Sequence, residues 1–85
     1  MLKIRYSKLA IKGLSRIPAK ARNAIRTKID LLAENPQRPD LDVKKLKGGS
    51  GRFRMRVGTY RVLFTEDGII LEIHDIGPRG SIYRN

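Results

Sequence analysis

The stretch on either side of Gly58-Thr59 alternates apolar and polar residues, and this constrains the fold more than any other feature of the sequence. A period of two predicts strands, and a glycine-containing pair between two such runs predicts a two-residue hairpin turn. Because a two-residue turn fixes the register, Val57 should pair with Tyr60, and alternation then assigns the other residues to faces. The sequence therefore predicts an antiparallel pair of strands over residues 52–57 and 60–66 with one apolar face.

A third strand is predicted over residues 69–76, joined to the second by a two-residue turn at Asp67-Gly68. In this register Arg61 pairs with His74, and Leu71 lies on the apolar face that helices should cover. The opposite, open face would carry the remaining, mostly polar residues of the three strands. These are Arg54, Arg56, Arg61, Leu63, Glu72 and His74.

Arg56 and Arg61 are predicted to face each other across the first hairpin. Directly opposed like charges are destabilising unless an anion lies near them, so this pairing favours a polyanion site over a purely structural surface. A short strand is possible over residues 43–46, where a run of cations begins; a solvated surface is the alternative interpretation of that run. It contains no acidic residue and consists of Lys44, Lys45, Lys47, Arg52, Arg54, Arg56 and Arg61.

The N-terminal half predicts a strand followed by two helices. Residues 2–6 alternate apolar and basic side chains, Ser7 is a helix N-cap, and Pro18 divides the helical segment in two. Apolar residues recur at helical spacing in both helices, so the resulting hairpin must cover the sheet. We predict an α+β fold, with an N-terminal strand and a two-helix hairpin packed on one face of a small curved, mainly antiparallel sheet. The two apolar stripes are Ala10, Ile11, Leu14 and Ile17, and Ala21, Ile25, Ile29 and Leu32.

Composition bounds the class of protein. Residues 1–85 form a single domain by length, and 19 Lys plus Arg against 8 Asp plus Glu give a net charge of +11. The absence of cysteine and the single histidine exclude a disulfide framework and a protein-built metal cage, so we expect no metal and no cofactor. No apolar run resembles a membrane span or a secretory signal, so we expect a cytoplasmic protein without a membrane partner. A nucleic acid is the partner that this charge favours.

The residue types on the open face limit the available chemistry. No carboxylate pair suits a two-metal nuclease, and no serine has the flanking pattern of a nucleophile. Arginine, histidine and tyrosine suit metal-free phosphoryl transfer in RNA, in which the substrate's 2′-hydroxyl attacks the adjacent phosphate and arginines stabilise the developing charge. The candidate bases are His74 and a tyrosine, with Tyr83 in the segment after the last strand. His74 could instead be a hydrogen-bonded strand residue, and Tyr83 an ordinary residue of a C-terminal tail.

Three stretches of the sequence resemble the RelE/ParE toxin superfamily of bacterial and archaeal toxin-antitoxin systems. They are residues 45–48, residues 53–64 and residues 73–77, followed by Arg79 and Tyr83. The size and the order of strand, helical hairpin and three strands also match, so the resemblance covers essentially the whole chain. RelE-like members cleave mRNA in the ribosomal A site, whereas ParE-like members inhibit DNA gyrase. Tyr83 and its neighbours are similar to the RelE-like branch, the mRNA interferases.

The resemblance implies a role for each catalytic residue. It implies that Tyr83 is the general base on the 2′-hydroxyl, that Arg79 protonates the leaving group, and that Arg61 stabilises the phosphate in the transition state. Arg54 and Arg56 match positions at which the best-known member has lysines that bind and polarise the phosphate. Arginine keeps the charge and binds phosphate in a fork, but it hardly releases a proton.

The resemblance also implies partners, which are a cognate antitoxin protein, the ribosome and mRNA. His74 becomes a secondary catalytic candidate, because some relatives use histidine near this position. Two other functions stay open, a ParE-like inhibitor of DNA gyrase without catalysis and a non-toxic basic RNA-binding module. The cations expected to bind RNA or the ribosome are Lys20, Arg22, Arg26 and Lys28 on the second helix, and Lys44, Lys45, Lys47 and Arg52.

Overall fold

Five strands form one sheet, and two helices cover one of its faces. The computed structural model describes residues 1–47 and 51–78. In chain order the elements are β1 (Lys3–Tyr6), α1 (Lys8–Ser15), α2 (Ala19–Glu34), β2 (Asp42–Lys45), β3 (Phe53–Val57), β4 (Tyr60–Glu66) and β5 (Ile70–Pro78). The strand order is β1-β5-β4-β3-β2, with β1 and β5 parallel and the other neighbours antiparallel. The predicted α+β fold is confirmed. In these ranges neither helix is both long enough and apolar enough to cross a membrane.

The core lies between α2 and the apolar face of the sheet. Ile25, Ile29 and Leu32 recur along one side of α2 and are fully buried, as their spacing predicts. Burial of each such side chain contributes about 1.5–3 kcal/mol, and without cysteine the fold depends on this packing. The strand residues of the same core are Met55, Val62, Phe64, Leu71, Ile73 and Ile76.

Helix α1 lies directly against β5. The Ser7 hydroxyl caps the helix as predicted, accepting a hydrogen bond from the backbone N–H of Ala10 at 3.0 Å. The same hydroxyl donates to the carbonyl oxygen of His74 at 2.7 Å, which ties the cap to the sheet. Gly13 permits the close approach, because a Cβ at this position would overlap the carbonyl oxygen of Ile76.

One residue of the predicted first stripe faces outward. Ile11 is 57% exposed, whereas Ala10 is fully buried. Successive residues of an α-helix are turned by about 100°, and Ala10 is the position that faces β5. The placement of Ile11 in the core is therefore wrong, because α1 is short and only one narrow side of it contacts the sheet.

The β3–β4 hairpin has the register that its two-residue turn predicts. Val57 pairs with Tyr60, and Arg56 pairs with Arg61. Gly58 has a φ of +59°, a left-handed conformation that glycine adopts without a Cβ clash. The face assignment of both strands is therefore confirmed.

The β4–β5 turn lies one residue later than predicted. Glu66 pairs with Leu71, and the backbone N–H of Asp67 donates to the carbonyl oxygen of Ile70 at 3.3 Å, so Gly68 and Ile69 form the tip of the turn. The carboxylate of Asp67 explains the difference, because its Oδ1 accepts hydrogen bonds from the backbone N–H groups of Ile69 and Ile70 at 2.9 and 2.7 Å. The register changes by an even number of residues, so Leu71 keeps the face that was predicted for it.

Strand β5 also contains a β-bulge. Phe64 pairs with Ile73, but the preceding residue of β4, Leu63, pairs with Asp75. His74 is therefore the extra residue, and every position after it is shifted by one relative to β4. The predicted pairing of Arg61 with His74 is wrong, because the displaced turn and this bulge together shift the register by three residues.

Candidate functional site

Six of the seven cations in the run from Lys44 to Arg61 line one shallow groove, in which Arg54, Arg56 and Arg61 lie on the face of the sheet opposite the helices. The groove has a volume of about 280 Å³ and is formed by β2, β3, the start of β4 and the residues after β2. The seventh cation, Arg52, is exposed just before β3. We call this feature the cationic groove. Its lining residues are Lys44, Lys45, Leu46, Lys47, Arg54, Arg56 and Arg61.

Arg54 is buried although it lies on the outer face of the sheet. Its side chain is 7% exposed, whereas that of Arg56 is 46% exposed. Its neighbours across the strands are Lys44 and Leu63, and Leu63 is also buried, so the face predicted to be open is covered around Arg54. Nη1 of Arg54 has no hydrogen-bond acceptor among the residues that the structure describes. A buried cationic donor without an acceptor raises the free energy of a site, and an anionic ligand lowers it.

Asp42 belongs to this site, although the sequence patterns did not indicate it. Its Oδ1 lies 3.6 Å from Nη1 of Arg54, and its Oδ2 lies 3.9 Å from Nε of Arg56. Asp42 thus supplies negative charge beside Arg56, which faces Arg61 as predicted. A signal was available, because Asp42 precedes Lys44 by two residues and so shares its face of β2. The predicted strand began one residue too late to include it.

His74 lies away from the cationic groove. The displaced β4–β5 turn and the bulge together pair Arg61 with Gly77 rather than with His74. Nε2 of His74 is 2.8 Å from Oγ1 of Thr65, and Thr65 is four residues, or about 13 Å, along β4 from Arg61. The predicted position of His74 opposite Arg61 is therefore wrong. The alternative interpretation, a hydrogen-bonded strand residue, describes its environment.

Two of the residues that the resemblance identifies as catalytic, Arg79 and Tyr83, lie outside the residues that the structure describes. Gly48, which belongs to the first resembling stretch, also lies outside them. The described part of the candidate site therefore consists of the cationic groove and Asp42. In the described ranges, no group of three or more His, Asp or Glu side chains is arranged to hold a metal ion.

The four cations predicted to bind RNA from α2 do not share one face. Arg26 and Lys28 are separated by two positions of about 100° each, so they lie on nearly opposite sides of the helix. Burial raises the pKa of Tyr6, the last residue of β1, and the nearby positive charge of Arg26 partly opposes this shift. Arg26 therefore lies on the side of α2 that is towards β1. Lys28 instead lines a recess of about 220 Å³ together with Asp42 and Arg56. Among Lys20, Arg22, Arg26 and Lys28, it is Lys28 that extends the charge of the cationic groove.

A separate recess of about 540 Å³ lies between α1 and the end of β5. Its walls combine apolar side chains such as Leu9 and Ile17 with the cations Lys12 and Arg16. Asp75 also lines it, and burial raises the pKa of this carboxyl, although the backbone N–H of Ile76 opposes the shift. The predicted catalytic residues of the described chain do not line this recess.

Comparison with known proteins identifies one family. The family model for the ParE toxin of type II toxin-antitoxin system, parDE, matches residues 4–83. Toxin RelE3 of Methanocaldococcus jannaschii is 31% identical over 84 residues, which cover 96% of each chain.

Solved structures give the same result. In the archaeal RelE-RelB complex from Pyrococcus horikoshii, a chain superimposes with a TM-score of 0.79 at 27% identity, covering 94% of this chain and 97% of that one. In the RelB-RelE antitoxin-toxin complex from Methanococcus jannaschii, the TM-score is 0.77 at 28% identity, with coverage of 98% and 95%.

Proposed function

Because the chain belongs to the RelE/ParE superfamily of type II toxins, we propose that it is a RelE-like endoribonuclease that cleaves mRNA in the ribosomal A site without a metal ion. The cationic groove is the observation that carries this proposal. It gathers six cations, and three of them are arginines on one face of the neighbouring strands β3 and β4. Such a surface suits a phosphodiester, which presents two non-bridging oxygens to forked guanidinium donors.

In the proposed reaction the substrate supplies its own nucleophile. The 2′-hydroxyl of one nucleotide attacks the adjacent phosphate and loses its proton to a base, and the 5′-oxygen of the next nucleotide leaves and takes up a proton. The products are a 2′,3′-cyclic phosphate and a 5′-hydroxyl. Negative charge grows on the phosphate during the attack, and cations fixed beforehand stabilise that charge most effectively. Burial holds Arg54 in one place, which is why this residue suits the role.

Proton transfer needs groups other than the sheet arginines. An arginine hardly releases a proton, so Arg54 and Arg56 bind and polarise the phosphate. We assign the general base to Tyr83 and the protonation of the leaving group to Arg79, and the resemblance to RelE-like enzymes supports both roles. His74 stays a secondary candidate, and its separation from Arg61 along β4 argues against it.

A cognate antitoxin is the proposed protein partner. The solved relatives from Pyrococcus horikoshii and Methanococcus jannaschii are complexes of RelE with RelB. With a net charge of +11, this chain favours an antitoxin that has an acidic segment. The ribosome and mRNA are the proposed targets, and the cytoplasm is the compartment in which they occur.

Inhibition of DNA gyrase is the second candidate function. It is favoured by the family model, whose description is that of a ParE toxin. Such a toxin binds its target without catalysis, so the loss of a single proton-transfer group would not abolish toxicity. A gyrase inhibitor would also cause DNA damage signalling while translation continues.

Induction of the protein in growing cells separates these functions. We expect arrested translation and new 5′ ends within the coding regions of abundant mRNAs, detected by primer extension. Arg61→Ala and Tyr83→Phe should abolish both effects. Arg5→Ala is the matched control, because Arg5 is an exposed arginine with a carboxylate partner of its own, Glu72 at 3.6 Å.

Three outcomes contradict the endoribonuclease. Intact mRNA during growth arrest excludes mRNA cleavage as the cause of toxicity. DNA damage signalling with continuing translation, and full toxicity of Tyr83→Phe, indicate the gyrase inhibitor. Normal growth after induction, together with salt-sensitive RNA binding, indicates a non-toxic RNA-binding module.

A further inference from the structure

Asp42 contacts two arginines of the cationic groove through two different oxygens. Oδ1 lies 3.6 Å from Nη1 of Arg54, and Oδ2 lies 3.9 Å from Nε of Arg56. A phosphate that bridged the same two guanidiniums would likewise use two of its oxygens. The carboxylate therefore occupies the position at which such a phosphate would be bound.

The contact is close enough for charge attraction but too long for hydrogen bonds. Donor and acceptor in a charged hydrogen bond are about 2.7–2.9 Å apart, well below the distances of Asp42 to Arg54 and Arg56. The hydrogen-bonding capacity of the guanidiniums is thus not consumed by Asp42. Nη1 of Arg54 in particular has no acceptor within the described residues.

The two partners differ in their freedom to move. Arg54 is 7% exposed, whereas the side chain of Asp42 is 55% exposed. Rotation of Asp42 into solvent removes no packing from the core, but displacement of Arg54 would. If an anion enters the groove, Asp42 is therefore the side chain that moves away into solvent.

We propose that Asp42 is the built-in counter-ion of an RNA phosphate site formed by Arg54 and Arg56. It holds the two guanidiniums side by side in the free protein, and a phosphate of the bound RNA displaces it. Asp42 is thus a positioning residue that also lowers the affinity for RNA. The inference rests on the proposed function, because it takes an RNA phosphate as the ligand.

The test measures binding of an RNA that the proposed reaction cannot cleave. A fluorescent single-stranded oligoribonucleotide with 2′-O-methyl groups lacks the nucleophile, and its affinity is followed by anisotropy across a range of salt concentrations. Asp42→Asn should bind about two- to fivefold more tightly than the wild type at low salt, since the exposed carboxylate no longer competes with the phosphate. The gain should shrink as salt rises. Asp42→Glu keeps the carboxylate and should bind like the wild type.

Two comparisons show that the effect belongs to this site. Asp30→Asn makes the same change in net charge at an exposed position of α2, and it should bind like the wild type. In an Arg56→Ala background, where one of the two guanidiniums is missing, Asp42→Asn should give a smaller gain than in the wild type.

Every other outcome of this test contradicts either the counter-ion proposal or the proposed function. Weaker binding by Asp42→Asn, with an unchanged circular dichroism spectrum, indicates a structural role and overturns the counter-ion. Equal affinities of Asp42→Asn and Asp30→Asn overturn it as well. A wild type that binds the probe but leaves mRNA on ribosomes intact overturns the endoribonuclease and not the counter-ion, because the probe needs no cleavage. A wild type that does not bind the probe overturns the counter-ion and not the endoribonuclease, which is proposed to act on mRNA held by the ribosome.

Discussion

The two ends of the outer face of the sheet differ in how many partners the chain supplies for their charged groups. The paired end, which consists of Arg5, Thr65, Glu72 and His74, contains two one-to-one pairs. Arg5 lies 3.6 Å from Glu72, and Thr65 lies 2.8 Å from His74. The cationic groove collects six cations, and the ion pairs of Arg54 and Arg56 are both with one exposed carboxylate, Asp42, at 3.6 and 3.9 Å. Total charge therefore does not define a site; a local excess of cations over nearby carboxylates does.

The largest expected effect comes from removing one exposed arginine at each end. Arg56→Ala should lower the rate of mRNA cleavage on ribosomes about 10²-fold or more, the usual effect of losing one charge-stabilising group. Arg5→Ala should change that rate less than twofold, because Glu72 already neutralises Arg5. Primer extension over time on a defined mRNA measures both rates. Equal losses would mean that the two ends do not differ in function.

Removal of the hydrogen bond at the paired end tests whether that end is structural. Thr65→Val keeps the shape of the side chain and leaves Nε2 of His74 without its partner, so the free energy of unfolding should fall by about 1 kcal/mol. Urea denaturation measures this change, and Thr59→Val in the exposed turn is the control. The cleavage rate should stay within twofold of the wild type. A loss as large as that of Arg56→Ala would instead give His74 a catalytic role.

Removal of the carboxylate at the paired end tests whether surplus charge alone makes a site. Glu72→Gln releases Arg5 and should raise the affinity for single-stranded RNA by at most about twofold, a small effect typical of exposed ion pairs. Anisotropy titrations at several salt concentrations measure this gain. The cleavage rate should not rise, because Arg5 lies outside the cationic groove. An increase in cleavage would show that charge at either end supports the reaction.

The smallest effect concerns pH and the loop next to the paired end. The backbone N–H groups of Ile70 and Ile69 lower the pKa of Asp67. A carboxyl with a lower pKa in the folded state adds stability above its unfolded value, and this contribution is lost as the pH falls through the folded value. The free energy of unfolding should therefore decrease on acidification below about pH 4. Asp67→Asn should show less of this decrease in urea denaturation at several pH values.

The carboxyl of Asp75 should have the opposite effect on the pH dependence of the free energy of unfolding. Burial raises the pKa of its carboxyl, so its contribution to stability increases as the pH falls through that raised value. Asp75→Asn should therefore steepen the acid-induced loss of stability that Asp67→Asn weakens. Parallel responses of the two variants would contradict the assigned shifts.

Those parts of the fold that depend on local chemistry could be predicted from sequence. Gly58-Thr59 fixed the β3–β4 register, and with it the common face of Arg54, Arg56 and Arg61. The same reasoning placed the β4–β5 turn one residue too early, at Asp67-Gly68. The Asp67 carboxylate accepts two backbone hydrogen bonds that stabilise a turn with Gly68 and Ile69 at its tip. The position of a turn, when inferred from glycine alone, does not take such bonds into account.

The site could be predicted in composition but not in detail. Alternation identifies which arginines share a face, but it does not show that Arg54 is buried there, because burial depends on packing around several strands. It also misses Asp42, which enters the site through pairing of β2 with β3. The bulge left a weak trace in the sequence, since the buried residues Leu71, Ile73 and Ile76 are spaced by two and then by three.

The bulge at His74 has a consequence for insertions and deletions. Beyond it, each residue of β5 occupies the side of the sheet opposite to the one that simple alternation from Ile73 would give. Deletion of His74 would therefore restore regular alternation, with Ile73 and Ile76 still in the core and Asp75 still opposite Leu63. An alignment with a relative that lacks the bulge needs a gap at this residue, because without the gap it compares inward with outward residues. The position of the bulge is therefore the place in β5 at which a change of length by one residue disturbs the two faces least.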